Sequence, residues 1–223
     1  MKRFDSLLRL PLFMGISSDY LQQIVAHTKF GFSKRENGDN IVTENERCDS
    51  IVILTNGTME ISKYSDDHGY CVLETVSAPC LIQPEHLFGL TQRYSATFTA
   101  VTQCNLMTLG KTEVMFLFEQ FDVFRINYLN VISTSAQRST ARLWRHVGSD
   151  DRSRVTEFFL SHCQRPVGRK VFKILMNRLA MEINTSRLDV SRVLNQMQHE
   201  GIIELSRGRI VIPEVKRLIQ DTR

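Results

Sequence analysis

The spacing of apolar residues changes at about residue 110 and again at about residue 148. Between Phe30 and Leu109, short β-rich runs alternate with turn residues, and Asn56-Gly57 is one of the strongest short hairpin signals. From Lys111 to Val147 the strand signals end, neither Pro nor Gly occurs, and the apolar period becomes helical. The pattern therefore predicts a jelly-roll or similar β-barrel, then a long helix, then a smaller mixed C-terminal domain.

Two short apolar faces follow each other between Asn177 and Met197, with a sharp break between them. The first face ends at Ile183 and the second begins at Val190, each with the spacing of a helix. The intervening Asn184-Thr185-Ser186 suits a turn followed by a helix N-cap. This arrangement is typical of a helix-turn-helix, whose second helix enters the DNA major groove. An ordinary helical hairpin has the same spacing.

A predicted hairpin directly after the second helix makes the DNA-binding interpretation more specific. Gly201 stands where a helix C-cap glycine belongs, and the β-rich run 202–212 turns at Gly208. Arg207 and Arg209 flank this turn, where they are placed to meet phosphates. A helix-turn-helix followed by a basic-tipped hairpin is a winged helix. The candidate DNA-contacting residues are Thr185, Ser186, Arg187, Leu188, Ser191, Arg192, Asn195, Arg207 and Arg209.

The positive charge of the chain is concentrated in the same region. Residues 149–223 hold 14 Lys and Arg against 9 Asp and Glu, whereas residues 1–148 hold 14 against 15. The net charge of +4 therefore originates entirely in the C-terminal third. This asymmetry is expected of an appended nucleic-acid-binding module.

The long predicted helix carries a stripe of apolar and small residues that alternate by three and four positions. This is the a/d spacing of a coiled-coil seam. Burial against the β domain is one interpretation of the stripe, and a two-fold dimer helix is the other. We favour the dimer, because a winged helix usually needs symmetry to bind a long site. The stripe consists of Ile126, Leu129, Ser133, Ala136, Thr140, Leu143 and Val147.

The remaining composition predicts a cytoplasmic protein without a membrane segment. No apolar run approaches the roughly 18 residues of a membrane span, and the N-terminus lacks the features of a signal peptide. The five cysteines are scattered and odd in number, which favours reduced structural thiols. Their spacing predicts no metal or iron–sulfur site.

Catalytic motifs are absent from the sequence, so no enzymatic activity is predicted. A metal-dependent cupin barrel would need His-x-His with a following Glu, and no His-x-His occurs. Gly-x-Ser-x-Gly, His-Glu-x-x-His and a phosphate-cradling glycine loop are also missing. We therefore predict no cofactor and no metal.

The order of these parts resembles the Crp/Fnr transcription regulators over nearly the whole chain. The resemblance implies an α+β fold, with a jelly-roll β-barrel sensor domain over residues 1–120, a dimerisation helix and hinge over residues 121–148, and a winged helix-turn-helix domain over residues 149–223. The residues that carry it are Glu36-Asn-Gly-Asp39, Asn56-Gly57, Ser95-Ala96-Thr97, Ser186-Arg187, Val190–Leu194 and Gly201-Ile202.

The resemblance also implies partners and residue roles. It implies a homodimer on palindromic double-stranded DNA that acts as an activator or a repressor, with RNA polymerase as a candidate partner. Residues that match Arg187 and Arg192 reach base edges or phosphates in relatives. In relatives, the residue after the first Arg is often acidic and contacts a DNA base, whereas this position is Leu188 here. This departure is expected to change the preferred DNA sequence.

The β domain departs from the family where cyclic nucleotides bind. Nucleotide-binding relatives carry a Gly-Glu pair in a short helix and an Arg-Ser pair just after it. The corresponding segments here read Ile82-Gln-Pro-Glu85 and Tyr94-Ser95. The effector is therefore expected to be an unidentified small molecule other than cyclic AMP, or the barrel senses nothing and the regulator is constitutive. The candidate pocket residues are Glu85, Phe88, Arg93, Tyr94 and Ser95.

Overall fold

The chain folds into two compact units. In this computed structural model residues 7–144, 148–165 and 167–220 are described, except for the side chains of Arg9, Arg142, Leu143 and Gln220. The first unit comprises Met1–Met59 and Ser77–Leu143, and the second comprises Glu60–Val76 and Trp144–Arg223. The second unit thus includes a segment from the middle of the β-rich region. The predicted hinge residues His146 and Val147 lie outside the described residues.

The β-rich region forms short strands, as its turn spacing predicts. Helix α1 (Ser18–His27) precedes them and begins after Ser17, whose Oγ accepts a hydrogen bond from the backbone amide of Tyr20. The strands are β1 (Gly31–Arg35), β2 (Asn40–Val42), β3 (Ser50–Asn56), β4 (Thr58–Tyr64), β5 (Cys71–Ser77), β6 (Cys80–Ile82), β7 (Thr97–Ala100) and β8 (Cys104–Gly110).

The core of the first unit lies on a four-stranded sheet with the order β1-β8-β3-β6. Strands β3 and β8 pair in antiparallel register, so that Ile51 lies opposite Leu109 and both are fully buried. Strands β2 and β7 pair separately within the same unit. The predicted turn at Asn56-Gly57 is confirmed between β3 and β4. Its glycine has φ +103°, and a Cβ there would lie 2.5 Å from the carbonyl oxygen of Gln103.

Two helices follow the strands, α2 (Lys111–Gln120) and α3 (Asp122–Leu143). Helix α3 packs on its own unit through Phe124 and Tyr128, which are 0% and 5% exposed. The ring of Phe124 lies 5.4 Å from that of Phe13, centroid to centroid. The amide of Asn127 donates to the carbonyl oxygens of Leu12 and Met14. One face of α3 is thereby held against the first unit.

The predicted seam of α3 lies on a different face, which points away from this core. Ile126 and Leu129 are 54% and 56% exposed, and Ser133, Ala136 and Thr140 are also exposed. Burial of the stripe against the β domain is therefore wrong for these five positions. The side chain of Leu143 and all of Val147 lie outside the described residues.

The second unit contains the predicted winged helix. Its elements after the long helix are α4 (Asp151–Ser161), β9 (Lys170–Lys173), α5 (Met176–Glu182), α6 (Arg187–His199), β10 (Glu204–Ser206), β11 (Arg209–Ile212) and α7 (Val215–Gln220). Helix α4 begins after Asp150, whose carboxylate accepts from the amide of Ser153 at 2.9 Å. Hydrogen bonds from the Ser153 hydroxyl and backbone lower the pKa of Asp150. The apolar side of α4 is buried at Val155, Phe158 and Phe159.

The sheet of this unit has the order β10-β11-β9-β5-β4, so the hairpin of residues 60–76 extends the sheet of the wing. The central pairs are antiparallel, with Phe172 opposite both Val72 and Ile210. The sequence indicated strands at β5 and β9 but not their pairing.

A buried ion pair joins β5 to β9. The Nζ of Lys170 donates to Oε2 of Glu74 at 2.5 Å, and their side chains are 0% and 3% exposed. The same carboxylate accepts from the backbone amides of Gln164 at 2.5 Å and Arg165 at 3.3 Å. Because several donors form hydrogen bonds with it, the charge of the buried Glu74 carboxylate is stabilised within the protein.

A second set of polar contacts holds the tip of the β4–β5 hairpin. Asp67 pairs with Arg178 of α5 at 2.7 Å, and the guanidinium of Arg178 lies 5.8 Å from the ring centroid of Tyr70. The hydroxyl of Tyr70 lies 2.8 Å from Nε2 of His162. Hydrogen bonds from Ser65 and Gly69 lower the pKa of Asp67, so this carboxylate stays charged. The β4–β5 hairpin is thus held by the Glu74–Lys170 pair on β5 and by the Asp67–Arg178 pair at its tip.

All five cysteines are buried and free, in agreement with the prediction of structural thiols. Within the described part of the chain, no helix is both long and apolar enough to cross a membrane.

Candidate nucleic-acid interface

The helix-turn-helix is built around a buried face of α6. Val190, Leu194 and Met197 are 0% exposed, and they form a core with Leu179 of α5. The turn before α6 places Asn184 at φ +52°, a conformation that Asn tolerates better than most residues. Ser186 caps α6, because its Oγ accepts from the amide of Asp189 at 3.1 Å. The prediction of two helices with a capped turn is confirmed.

The outward face of α6 carries most of the predicted DNA-contacting residues. Arg187, Leu188, Arg192 and Asn195 are exposed, and Ser191 is partly exposed. Because these positions recur at three and four residues, they lie together on one side of the helix. They form a surface that is rich in hydrogen-bond donors, with Leu188 as its one apolar member.

Thr185 plays a different part from the other predicted residues. Its hydroxyl donates to Oδ1 of Asp151 at 2.7 Å, and the residue is partly buried. The contact ties the turn of the helix-turn-helix to the first turn of α4. Thr185 therefore positions the turn, and its hydroxyl is already engaged.

The wing lies at the β10–β11 turn, as the sequence predicts. Gly208 has φ +68° and separates the exposed Arg207 and Arg209. Upstream, Gly201 has φ +69°, and the amide of Ile202 closes α6 by donating to the carbonyl of Met197 at 2.9 Å. The left-handed glycines thus set where α6 ends and where the wing turns.

Several cations of the second unit are engaged in ion pairs. Lys170, Arg178 and Arg152 are paired with Glu74, Asp67 and Glu200, respectively. The bond from Arg152 lowers the pKa of Glu200. Arg192 is paired with Asp189 on α6 while remaining exposed. Among the described residues, no partner for the side chains of Arg187, Arg207 and Arg209 is found. Part of the basic excess is therefore already paired, whereas α6 and the wing each carry exposed arginines that are available to a phosphate backbone.

The structure places the predicted effector residues in different environments. Tyr94 is a core residue at 3% exposure, and its hydroxyl donates to the carbonyl of Ser50. Burial raises its pKa, so the phenol stays neutral. Arg93 points outward and donates to the carbonyl of Asn45 at 2.6 Å. Glu85 is exposed.

Phe88 belongs to an aromatic cluster rather than to an open pocket. Its ring lies 5.8 Å from that of Phe118 and 6.0 Å from that of Tyr128. The hydroxyl of Tyr128 donates to the carbonyl of Pro84, and burial raises its pKa to about 12. Phe98 is 2% exposed. These aromatic residues pack together as part of the core of the first unit.

Gln83 is the residue of this region that the sequence did not single out. It is 8% exposed and has φ +37°, just before the 3-10 turn Pro84–His86. Its Oε1 accepts from the amide of Ser95 at 2.9 Å, and its Nε2 donates to Oγ of Ser95 at 2.7 Å. The amide and hydroxyl of Ser95 are thus satisfied within the protein. In the sequence, Gln83 stands within the segment Ile82-Gln-Pro-Glu85, which departs from the pattern of the nucleotide-binding relatives.

Two shallow cavities accompany these sites. One of about 400 Å³ is lined by Arg47 and residues 90–93 in the first unit. The other, of about 450 Å³, lies between α4 and the end of α5 in the second unit and includes Phe158 and His162. No group of three or more His, Cys, Asp or Glu among the described residues is arranged to hold a metal ion.

Comparison with known families decides the assignment. Residues 33–121 match the model of the cyclic nucleotide-binding domain, and residues 153–220 match that of the Crp-like helix-turn-helix domain. The two matches lie in the order of the sensor and output parts and together span most of the chain. The chain belongs to the Crp/Fnr family. The family and its fold are those of transcription regulators and not of enzymes.

Several solved structures share the fold at low sequence identity. The Thermus thermophilus catabolite activator protein is 19% identical, with a TM-score of 0.52 over 95% of this chain and 97% of its own. A crp/fnr regulator from Eubacterium rectale is 18% identical, with a TM-score of 0.53 over 95% and 97%. The N-terminal domain of a Streptomyces coelicolor regulator is 20% identical, with a TM-score of 0.51 over 66% and 100%. No curated protein sequence matches the chain.

Proposed function

We propose that this Crp/Fnr protein is a cytoplasmic, homodimeric transcription regulator that binds palindromic DNA through α6 and the wing. The observation that carries the proposal is the exposed set Arg187, Arg207 and Arg209, for which no internal partner is found among the described residues. An arginine at the start of the helix is suited to a guanine edge, and arginines on a wing are suited to phosphates. RNA polymerase remains a candidate partner of such a regulator.

Dimerisation is proposed on the exposed stripe of α3. Two copies related by a two-fold axis would cover Ile126 and Leu129 of each chain and would present two copies of α6. The half-sites of the operator are then expected about one helical turn apart, roughly 34 Å, or a multiple of that distance.

Substitution of the two classes of arginine tests the DNA-binding mode. Arg187→Ala is expected to weaken binding to a selected operator by roughly 1–3 kcal/mol and to relax the base preference at one position of each half-site. Arg209→Ala is expected to weaken binding to all sequences alike and to flatten the salt dependence, because it removes a phosphate contact. Both are measured by titration of labelled DNA at several salt concentrations.

Lys34→Ala is the matched control, since it removes one exposed positive charge from β1 in the first unit. It should leave both the affinity and the base preference unchanged. The proposed docking fails if Arg187→Ala and Arg209→Ala bind the selected operator as the parent does.

For the sensor domain, we propose that the effector is not cyclic AMP. Gln83 already satisfies the amide and hydroxyl of Ser95, and Tyr94 stands in the core beside it. A bound cyclic phosphate would have to displace the Gln83 amide and would find no arginine at position 94. Loss of one charge-assisted contact costs roughly 1.5–3 kcal/mol. A constitutive regulator and a regulator of another small molecule both agree with this geometry.

Thermal-shift titration checks the input proposal. Cyclic AMP at micromolar concentration is expected to give no saturable stabilisation of the full-length protein, because a ligand of the native state must raise its melting temperature. Screening small metabolites in the same assay separates the constitutive regulator from one with another effector. Saturable stabilisation by cyclic AMP would contradict the proposal that cyclic AMP is not the effector.

A further inference from the structure

Leu188 occupies an unusual place on the DNA-facing side of α6. It is 79% exposed at the second residue of the helix. Its neighbours on this face, Arg187, Ser191 and Arg192, are polar, whereas Leu194 on the opposite face is fully buried. The cap on Ser186 fixes the first turn of α6, so the position of Leu188 is set by the fold. An exposed aliphatic side chain is thus presented among hydrogen-bond donors.

We propose that Leu188 makes this regulator select thymine at one position of each half-site, by contact with the thymine 5-methyl group. The proposal rests on the DNA-binding function proposed above and adds a base preference to it. Leucine has neither donor nor acceptor, so it discriminates between bases only through their apolar groups.

The edges of the four bases explain why thymine is the expected partner. In the major groove, thymine presents a methyl group beside its O4 acceptor. Guanine presents two acceptors, adenine presents an acceptor and an amino donor, and cytosine presents an amino donor. If Leu188 covered one of these polar groups, that group would lose water without gaining a hydrogen bond, which is unfavourable. The methyl group of thymine instead gains from being covered, because apolar surface leaves water.

The flanking residues restrict where this contact falls. Arg187 lies one residue before Leu188 and has no internal partner among the described residues, so it is free to reach an adjacent base or phosphate. Arg192, four residues later, is exposed but is paired with Asp189. We therefore expect the selected thymine to lie next to the position that Arg187→Ala relaxes.

The first experiment locates the position read by Leu188. Bound sites are selected from random DNA with the full-length parent and with Leu188→Ala. The parent is expected to enrich a thymine at one half-site position whose preference flattens in the variant, while the other positions are unchanged. Flattening at a guanine, adenine or cytosine, or at no position, overturns the proposal. If the parent enriches no sequence at all, the proposed DNA-binding function fails as well, which separates the two failures.

The second experiment isolates the methyl group itself. Replacing the selected thymine with uracil, which lacks only this methyl, is expected to weaken parent binding by about fourfold, as burial of one such group implies. In Leu188→Ala the same replacement should change the affinity by less than about twofold. Arg209→Ala serves as the control, because it should weaken binding while retaining the full thymine-to-uracil ratio.

A variant that gains a preference for a different base gives a result that misfolding could not produce. Leu188→Glu places an acceptor at the same exposed site and is expected to prefer cytosine, whose amino group donates. Leu188 is exposed, so neither variant should lower the melting temperature measurably. Equal parent affinity for thymine and uracil, or discrimination that persists in Leu188→Ala, would show that another group reads this position.

Discussion

Glu74→Gln is expected to destabilise the second compact unit by roughly 3–5 kcal/mol, because it leaves the buried ammonium of Lys170 without its counter-charge. The pair is completely enclosed, at 0% and 3% exposure, so water cannot replace the lost partner. The substituted amide also accepts less strongly from the backbone amides of Gln164 and Arg165. A loss of this size is a large part of the stability of a typical domain.

Two measurements check this expectation. Denaturant unfolding of the full-length protein should show the lower stability, and hydrogen exchange should accelerate at Val171 and Phe172 of β9. Lys173→Met is the control, since it removes an exposed cation from the same strand and should change little. Equal effects of Glu74→Gln and Lys173→Met would contradict the role given to the ion pair.

The double substitution Glu74→Leu with Lys170→Met tests whether the stability is lost because one buried charge is left unpaired. Removing both charges leaves no unpaired ion, and buried pairs can often be replaced by apolar residues at little cost. The double variant is therefore expected to recover most of the stability that either single substitution loses. A double variant as unstable as the sum of the singles would show that the two sites act independently.

Leu129→Glu is expected to convert the proposed dimer to a monomer. In a two-fold interface the substitution acts twice, placing two carboxylates on facing seam positions of α3 and removing two apolar side chains. Each chain loses the burial of one leucine, roughly 1.5–3 kcal/mol, in addition to the cost of the charge. Because a monomer presents one α6, operator affinity should fall by at least about a hundredfold.

Sedimentation velocity at several concentrations measures the first effect, and DNA titration measures the second. Thr134→Glu is the matched control, because it adds the same charge at an exposed position of α3 outside the stripe. It should remain a dimer. A dimeric Leu129→Glu protein that binds its operator normally would exclude α3 as the interface.

Much of the helix-turn-helix and the wing was determined by the sequence alone, because the sequence signals for these elements are local. The cap Ser186, the break at Asn184 and the glycines Gly201 and Gly208 act within a few residues of where they stand. Each of them sets a backbone conformation that its own side chain, or the lack of one, makes favourable. The helix-turn-helix and the wing were therefore readable before any tertiary contact was known.

The candidate site was predictable only in part. The exposed face of α6 followed from its period, and the structure places Arg187, Leu188, Arg192 and Asn195 on it. The roles of these residues in DNA binding remain predictions. The engaged hydroxyl of Thr185 was not foreseen, because its partner Asp151 is 34 residues away.

Only the tertiary structure decided which polar groups were already satisfied and which faces remained open. Gln83 meets Ser95 across 12 residues, and Glu74 meets Lys170 across 96. Such partners leave no periodic trace in the sequence, because any carboxylate or amide at these positions would have the same local preference. The choice between a buried and an exposed seam on α3 depended on Phe124 and Tyr128 taking the other face of the same helix. A helix has several faces, and burial of one by tertiary packing leaves the others to solvent or to a partner.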